Sequence, residues 1–409
     1  MKALVVAGGV SQAALILELK SRGIYTILAD RNPKAFATPY ADEFYQVSTL
    51  DEEGIYQLAL KEKVDVVLTA CADQVLLITA KVSERLGLPC YIDYRTATLV
   101  SDKKYMKDIF AKNGVPTARY AVMGTYDEAI VRDFQFPMIV KPVDSYSSRG
   151  VRKVMNYEEM KNAFDEAVRI SRTNKAIVEE FCEGEELTVD VYVENGEAHI
   201  LAISVNDKIA DKDRFVIYRT KNPALISEDI KEKIQDTAQK IADAFRLKDS
   251  PMLIQMISDG KRLSVLEFCA RTGGCIKYRL IKKVSGFDVI KAVVDLTLGE
   301  KPHVDEFTAE SKYVVNTFLY CKPGVFDHAE GFEELKKEGI VSEYYIFASE
   351  GTEYSTITCS GDRVGGFTVQ ADDLQELKEK HKTAISRVKA IGTDGCDLIR
   401  HDLVAELEY

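Results

Sequence analysis

The chain has 409 residues, of which 46% are hydrophobic and 29% are charged, a composition typical of a soluble globular protein. This length predicts two or three domains. No apolar run approaches the roughly 18 residues of a membrane helix, and a net charge of -11 argues against general nucleic-acid binding. The eight cysteines form no CxxC pair, so we expect no zinc site, no disulfide framework and a reducing, cytoplasmic location.

The first part of the chain alternates short apolar runs with helical patterns. An apolar first strand ends in Gly8-Gly9, "YTILAD" is a second strand, and "LPCYID" (Leu88–Asp93) is expected to be the last one. Strands that alternate with helices predict a parallel, Rossmann-like sheet over residues 1–97. The glycine pattern is not GxGxxG, so it does not indicate a bound NAD.

Lysines mark the next helix and the next strand. Lys103 opens the helix "KKYMKDIFAK", in which Lys104 and Lys107 are expected on the solvated face. The strand "FPMIVKPV" carries Lys141 at its end, and the polar, serine-rich turn 144–150 follows it. These lysines are candidates for binding an anion, and the alternative is that they are surface residues.

The segment "PMLIQMISDGKRLSVLEFCA" predicts a β-hairpin with a three-residue turn, 258–260. Such a turn keeps Gln255, Glu267 and Cys269 on one face, which we expect to border a cleft because an unpaired buried carboxylate is costly. The other, apolar face is expected to carry Ile254, Met256, Leu266 and Phe268.

The order of these motifs resembles the ATP-grasp superfamily. It runs from the Gly-Gly sheet through the "SDK" helix, the "FPMIVKP" strand, a small-residue loop, "VEEF" and "EGEE" to the hairpin with "LEFCARTGG". The chain is most similar to the branch of carbamoyl-phosphate synthetase, biotin carboxylase and phosphoribosylglycinamide synthetase. The resemblance spans about residues 1–300, with a weaker similarity in "SGDRVGGFTV".

The resemblance implies a multidomain α/β and α+β protein with an ATP-grasp fold. A Rossmann-like pre-ATP-grasp domain is expected at 1–97 and a small C-terminal α+β domain at 301–409. The ATP-grasp domain is expected at 98–300, with a lid at about 118–182.

A phosphate site is the next implication of the resemblance. Lys103 and Lys141 match lysines that contact ATP phosphates, and Lys141 is also a catalytic candidate. Ser147, Ser148 and Gly150 match the phosphate loop of the family, although a plain surface turn is the alternative.

The segment "VEEFCEGEE" resembles the part of the family that binds adenosine. Glu179, Glu180, Phe181 and Cys182 match the hinge whose backbone contacts adenine, and Glu186 matches the acid that accepts hydrogen bonds from the ribose. The other glutamates of this acidic loop are expected to be solvated.

Relatives bind Mg²⁺ through an acid on the first hairpin strand and a Glu-x-Asn on the second. Here Gln255 replaces the first acid, Glu267 is kept and Cys269 replaces the Asn. A thiol is a poor Mg²⁺ ligand, so the resemblance leaves Glu267 and Gln255 as the metal candidates, completed by phosphates, water or another side chain. Arg271 matches the arginine beside an acyl phosphate, and its alternative is a structural salt bridge.

The implied reaction is an ATP-dependent ligation through an acyl phosphate, with release of ADP and phosphate. The expected partners are a small carboxylate and an amine or thiol, as in phosphoribosylglycinamide synthetases or amino-acid ligases. Substrates are expected near Gly8-Gly9, Asp73, Arg271, Lys277 and the C-terminal domain. We expect no nucleic-acid or membrane partner, and a homodimer is compatible with these features.

Two other functions stay open at this point. One is a carboxylase that uses bicarbonate, which the lack of a biotin-carrier motif disfavours. The other is a nucleotide-binding regulatory protein, since Gln255 and Cys269 depart from the usual metal ligands.

Overall fold

The computed structural model describes residues 1–145, 149–209, 215–305 and 308–409, and in these parts the chain forms four sheets. The predicted mixed α/β, multidomain architecture is confirmed. No helix within the described residues is long and apolar enough to cross a membrane. The domain boundaries proposed from the sequence stay predictions.

The first sheet is parallel, with helices between its strands. Its order is β3-β2-β1-β4, and Val5 in the central strand pairs with Leu28 on one side and Leu68 on the other. Near-continuous apolar strands of this kind are typical of a parallel sheet covered on both faces. The elements are β1 (Lys2–Val6), α1 (Val10–Ser21), β2 (Tyr25–Asp30), β3 (Glu43–Gln46), α2 (Glu52–Glu62), β4 (Val66–Leu68) and α3 (Asp73–Leu86).

The segment "LPCYID" forms no strand, so the expectation for Leu88–Asp93 is wrong. Pro89 has no backbone N–H and cannot donate to a sheet ladder. Ile92 instead packs into the core under the hairpin. The segment leads into two helices, α4 (Tyr94–Ser101) and α5 (Lys103–Lys112).

A second, antiparallel sheet has the order β5-β8-β6-β7. Helix α6 covers one face, where Met160 and Phe164 pack with Met138 of the sheet. The other face is thereby left to border a cleft. The elements are β5 (Tyr120–Met123), β6 (Met138–Pro142), β7 (Arg152–Val154), α6 (Tyr157–Ile170) and β8 (Ala176–Glu180).

The largest sheet has eight strands in the order β13-β12-β9-β10-β11-β14-β18-β16. Its first five strands are β9 (Glu185–Glu194), β10 (Glu197–Lys208), β11 (Ile217–Asn222), β12 (Ser250–Ser258) and β13 (Leu263–Cys269). The helices of this region are α7 (Glu228–Phe245), α8 (Lys277–Ser285) and α9 (Val289–Thr297).

The C-terminal part of the chain extends this sheet and adds a small one, of order β17-β15-β19. Strand β14 pairs with β11, so the sheet continues without a break from the hairpin region into the C-terminal region. The elements are β14 (Tyr313–Tyr320), β15 (Gly324–Glu330), α10 (Phe332–Lys337), β16 (Glu343–Ile346), β17 (Glu353–Tyr354), β18 (Arg363–Ala371), α11 (Leu374–Arg387) and β19 (Lys389–Gly392).

The hairpin of β12 and β13 has a four-residue connection, 259–262, and not the predicted three-residue turn. A four-residue connection alone would move Gln255 out of register with Glu267. A β-bulge between Gln255 and Met256, at which Leu266 is the additional residue, restores the pairing of Gln255 with Glu267. The prediction that these two side chains share a face is therefore correct, although for a different reason.

The bulge also changes which apolar side chain of β13 faces the core. Val265 is fully buried in the core, whereas Leu266 lines a cavity, so the expectation for Leu266 is wrong. The other residues expected on the apolar face are buried as predicted. Phe268 packs against Phe245 of α7, with ring centroids 4.4 Å apart, and this contact fixes the hairpin on the core.

Candidate active site

A first cavity of about 170 Å³ lies between the antiparallel sheet and the hairpin end of the eight-stranded sheet. Strands β6 and β8 line one side, and β9, β12 and β13 line the other. Most residues predicted to bind nucleotide or metal meet here. They are Lys103, Lys141, Glu179, Glu180, Phe181, Cys182, Glu186, Gln255 and Glu267.

A carboxylate between two lysines lies at the base of the first cavity. Glu179 forms an ion pair with Lys141, and Lys107 Nζ lies 2.7 Å from Glu179 Oε1. Burial alone would raise the pKa of Glu179, but the two ammonium groups outweigh it and lower the pKa to about 2. Glu179 is thus ionised at neutral pH and holds Lys141 at the cavity wall.

Lys107 lies inside the protein, so its expected position on a solvated face is wrong. Its side chain is 1% exposed, and its Nζ also donates to the carbonyl of Val265 at 3.1 Å. Lys107 comes four residues after Lys103, and residues four apart share one face of a helix. That spacing could have identified it, whereas Lys104 does lie on the outer face, paired with Asp108 at 2.7 Å.

The second predicted phosphate lysine contacts the hairpin. Lys103 Nζ lies 3.0 Å from Glu267 Oε2 and donates to the carbonyl of Ser145 at 2.9 Å. Burial would raise the pKa of Glu267, but Lys103 and Lys141 lower it, so this carboxylate is ionised. The contact links α5, the start of the polar turn and the hairpin at one point.

Glu267 and Gln255 form a cross-strand pair with a carboxylate and an amide oxygen as hard ligands. Mg²⁺ commonly takes one or two protein oxygens and completes its shell with phosphates and water. No group of three or more His, Cys, Asp or Glu side chains among the described residues could hold a metal ion alone. The pair therefore fits Mg²⁺ that is shared with phosphates.

Glu186 lies in the first cavity, where a lysine that the sequence did not single out holds it. Lys208 Nζ lies 2.6 Å from Glu186 Oε2, and Asn206 Nδ2 donates to Glu186 Oε1 at 3.2 Å. Gln255 Nε2 approaches the same oxygen at 3.4 Å. Lys208 belongs to no recognised motif, so only the pairing of β9 with β10 brings it to this site.

The hinge segment presents backbone groups to the first cavity. The N–H of Glu180 donates to the carbonyl of Arg119 and the N–H of Phe181 to the carbonyl of Pro137, both at 3.0 Å. Lys153 Nζ lies 3.8 Å from the centroid of the Phe181 ring and packs it against the sheet. The N–H groups of Glu180 and Phe181 are therefore already hydrogen-bonded. Cys182, the next residue that lines the cavity, donates its backbone N–H in none of the described hydrogen bonds.

The polar turn is described only in part. Ser147 and Ser148, predicted to bind phosphate, lie outside the described residues. Gly150 has φ +75°, and a Cβ there would lie 2.7 Å from Ile170 Cδ1. A glycine is therefore required for backbone conformation and close packing, and the neighbours Arg149 and Val151 line the cavity in its place.

A second cavity of about 520 Å³ adjoins the first, and Ile217, Gln255 and Glu267 line both. The predicted substrate residues Asp73, Arg271 and Lys277 lie in its wall. Gly8-Gly9 does not line it, since the N-terminal sheet contributes Ala7 instead. The two cavities thus meet at the Gln255–Glu267 pair.

Arg271 forms a structural salt bridge, which is the alternative to its predicted role beside an acyl phosphate. It also borders the second cavity. Its Nε and Nη2 donate to the two oxygens of Asp73 at 2.9 and 2.7 Å. Burial would lower the pKa of Arg271, but Asp73 and Cys269 raise it, so the guanidinium stays charged. Asp73, at the start of α3, orients the planar group on the cavity wall.

Cys269 packs as a buried residue, 4% exposed, behind this ion pair. Burial raises the pKa of its thiol, and a hydrogen bond to Asp73 adds to the effect. Cys269 lines neither cavity. Its side chain thus supports Asp73 and does not contact a metal or phosphate position.

Lys277 pairs with an acid that is deeper in the sheet. Its Nζ lies 3.2 Å from Asp190 Oδ2, and Asp190 is 2% exposed. Burial raises the pKa of Asp190, and Lys277 only partly offsets that. Lys277 thus has a carboxyl partner inside the wall of the second cavity.

The family comparisons agree with this geometry. Residues 134–278 match the ATP-grasp domain, and residues 317–391 match the L-amino acid ligase C-terminal domain 2. The chain therefore contains an ATP-grasp domain and a region that matches a C-terminal domain of L-amino acid ligases, which confirms the resemblance drawn from its motifs.

One relative of similar length covers nearly the whole chain, and a longer relative covers part of it. The phosphoribosylamine–glycine ligase of Caldanaerobacter subterraneus is 24% identical over 419 aligned residues, 96% of this chain and 97% of that protein. The carbamoyl phosphate synthase large chain of Clostridium perfringens is also 24% identical, over 70% of this chain. The chain spans only 27% of the length of that second relative.

Solved structures show the same fold at low sequence identity. L-amino acid ligase from Bacillus licheniformis superposes with a TM-score of 0.79 at 18% identity, over 96% of this chain and 98% of that one. Phosphoribosylglycinamide synthetase from Anaerococcus prevotii gives 0.75 at 21% identity, over 96% and 99%. The biotin carboxylase domain of Hydrogenobacter thermophilus 2-oxoglutarate carboxylase gives 0.78 at 19%, over 95% and 90%.

Proposed function

We propose that the protein is an ATP-dependent carboxylate–amine ligase that works through an acyl phosphate. The observation that carries this proposal is the shared wall of the two cavities, formed by Gln255 and Glu267. A nucleotide in the first cavity would place its terminal phosphate beside a carboxylate in the second. This is the juxtaposition that phosphoryl transfer to a carboxylate requires.

The first cavity has groups for each part of ATP. Lys103 and Lys141 would neutralise the phosphates, and Glu179 would keep Lys141 in place. The free backbone groups of the hinge near Cys182 suit adenine. Glu186, held by Lys208, suits the ribose hydroxyls.

Glu267 and Gln255 would hold Mg²⁺ together with the phosphates. When bound, Mg²⁺ neutralises charge on the phosphoryl group that is transferred. Arg271 would stabilise the negative charge of the substrate carboxylate and of the acyl phosphate, and Asp73 would fix its orientation.

The proposed steps balance without another reactant. A carboxylate oxygen attacks the γ-phosphorus of ATP, and the bond to the ADP oxygen breaks. The amine nitrogen then attacks the acyl carbon and loses a proton, and phosphate leaves with the former carboxylate oxygen. The products are an amide, ADP and phosphate.

Among the candidate reactions, an amino-acid ligase-like one has the most support. The C-terminal domain match is of that type, and the second cavity, about 520 Å³, is far larger than bicarbonate needs. The carboxylase is therefore less favoured. The buried position of Cys269 also weakens the regulatory alternative, since that substitution removes no side chain from either cavity. Thiol acceptors, a homodimer and a cytoplasmic location stay predictions.

The test is ADP release from ATP and Mg²⁺ with a panel of carboxylates and amines, each alone and in pairs. We expect release that requires both a carboxylate and an amine. Glu267→Gln should lower it at least about 100-fold, as loss of a group that stabilises transition-state charge does. Glu197→Gln, an exposed carboxylate that lines neither cavity, is the matched control. Full activity of Glu267→Gln would contradict the assignment.

A further inference from the structure

One cation of the second cavity has no carboxylate partner among the described residues. Arg271 pairs with Asp73, and Lys277 pairs with Asp190. Arg363, at the start of β18, lines the same cavity but forms no ion pair with any described acid. The wall therefore carries a positive charge that the described part of the protein does not neutralise.

Neutral groups fix the Arg363 guanidinium in place. Its Nε donates to Tyr320 Oη at 3.1 Å, and its Nη2 donates to the carbonyl of Ile217 at 3.2 Å. Its Cζ lies 3.8 Å from the centroid of the Phe318 ring. A guanidinium has five N–H donors, so donors remain for a ligand on a group that is already oriented.

The acid next to Arg363 in the sequence is engaged elsewhere. Asp362 Oδ2 accepts hydrogen bonds from the backbone N–H groups of Thr358 and Cys359, at 2.6 and 3.0 Å. These bonds cap the short turn that leads into β18. Asp362 thus shapes the loop and is not a counter-ion for Arg363.

The backbone around this cavity is also strained at two non-glycine residues. Ala7 has φ +78° and Cys275 has φ +58°, and both line the second cavity. Non-glycine residues in this left-handed region are strained, and such residues cluster at ligand sites. Burial raises the pKa of the Cys275 thiol, and the neighbouring Arg363 guanidinium only partly offsets that effect. The strained backbone at Cys275 thus lies next to the unpaired cation.

We infer that Arg363 is a specificity-determining residue that binds a second, non-reacting anionic group of a substrate. This inference rests on the proposed function, in which Arg271 attends the carboxylate that reacts. A fixed guanidinium suits a carboxylate, which it binds through two parallel N–H···O bonds. A phosphate monoester offers similar oxygens and is the other source of such a group.

The experiment compares wild type, Arg363→Met and Arg363→Lys, with Arg387→Met as the control. Met keeps an apolar stem over Phe318 without charge, and Lys keeps the charge without the fork. Arg387 is an arginine that pairs with Glu338 on the outer surface and lines neither cavity. The amine probes are α-amino acids, their carboxamides and O-phosphoethanolamine, measured by KM in ADP release and by calorimetric binding.

If Arg363 anchors an anion, Arg363→Met raises KM or Kd for the anionic probes about 10- to 100-fold, equivalent to a lost charged hydrogen bond. Carboxamides should change less than about twofold, and Arg363→Lys should recover part of the affinity. Preference for amino acids or for O-phosphoethanolamine in wild type identifies the anion as carboxylate or phosphate. Unchanged affinity of Arg363→Met for every anionic probe overturns the inference.

The calorimetric arm separates this inference from the proposed ligase. Binding of an anionic probe that requires Arg363, without ADP release, would support the anion subsite and contradict the ligase activity. ADP release with KM values that do not depend on Arg363 would support the ligase activity and contradict the anion subsite. No anion-dependent binding to wild type would overturn the subsite.

Discussion

Two lysines and one glutamate at the base of the first cavity share a net positive charge. Glu179 contacts both Lys107 and Lys141, and Lys107 and Glu179 are almost fully buried. Burying three charged groups is costly unless they compensate one another. Their arrangement holds the Lys141 side chain where a phosphate would lie, and Glu179 is the residue on which this position depends.

Replacing Glu179 with Gln should destabilise the protein by about 3–5 kcal/mol, the usual cost of removing one partner from a buried ion pair. Urea unfolding at neutral pH measures it. The neighbour Glu180 pairs with an exposed arginine at 3.6 Å, so Glu180→Gln should cost less than about 1 kcal/mol. Equal stabilities of the two variants would contradict the account of Glu179.

The difference in stability between wild type and Glu179→Gln has a predictable pH dependence. The pKa of Glu179 is about 2 in the folded protein against an ordinary value of 4.5. A lowered pKa stabilises the fold above the unfolded-state value, and the gain is lost as pH falls through the folded value. The difference in unfolding free energy between wild type and Glu179→Gln should therefore be constant near neutral pH and shrink below about pH 4.5. A difference that grows on acidification would contradict this.

Cys269→Asn tests whether the hairpin cysteine stands where relatives have a metal ligand. Because Cys269 is 4% exposed and lines neither cavity, the amide would be buried and incompletely paired. We expect a loss of about 1–3 kcal/mol in stability and an unchanged Mg²⁺ dependence of ADP release. ADP release that reaches its half-maximum at a lower Mg²⁺ concentration, with an unchanged melting temperature, would show that position 269 does reach the metal.

At the level of elements, α3 and the hairpin are joined through one ion pair. Asp73→Asn would leave Arg271 without its carboxylate partner. ADP release should fall at least about tenfold, since a misplaced catalytic group commonly costs that much, while calorimetric affinity for ATP stays within about twofold. A change confined to ATP affinity would contradict the proposed role of Asp73 at the substrate and would indicate a role in nucleotide binding.

Element order and most of the site could be predicted from the sequence, because strand patterns and motif order are local signals. The shared face of Gln255 and Glu267 was predicted correctly, but their direct pairing results from a bulge that depends on contacts between strands, which no local pattern shows. Lys107 was missed because a lysine on an amphipathic helix is usually solvated. Lys208 was missed because only strand pairing brings it to Glu186.

Across the whole molecule, one eight-stranded sheet carries both the hairpin and the C-terminal strands. Glu267 on β13 and Arg363 on β18 therefore belong to the same sheet, at positions separated by the intervening strands. The N-terminal region closes the second cavity from another side through Ala7, which follows β1, and Asp73, which begins α3. Residues proposed to bind nucleotide and substrate thus line the two cavities from the N-terminal, central and C-terminal parts of the chain.

The most direct test of the central claim is the fate of a carboxylate oxygen. With an ¹⁸O-labelled carboxylate substrate, the amine, ATP and Mg²⁺, mass spectrometry of the released phosphate reports whether an acyl phosphate formed. The account predicts one ¹⁸O atom in each phosphate that wild type releases when both carboxylate oxygens are labelled, and labelled phosphate at least about 100-fold more slowly from Glu267→Gln. Amide formation with unlabelled phosphate would contradict it.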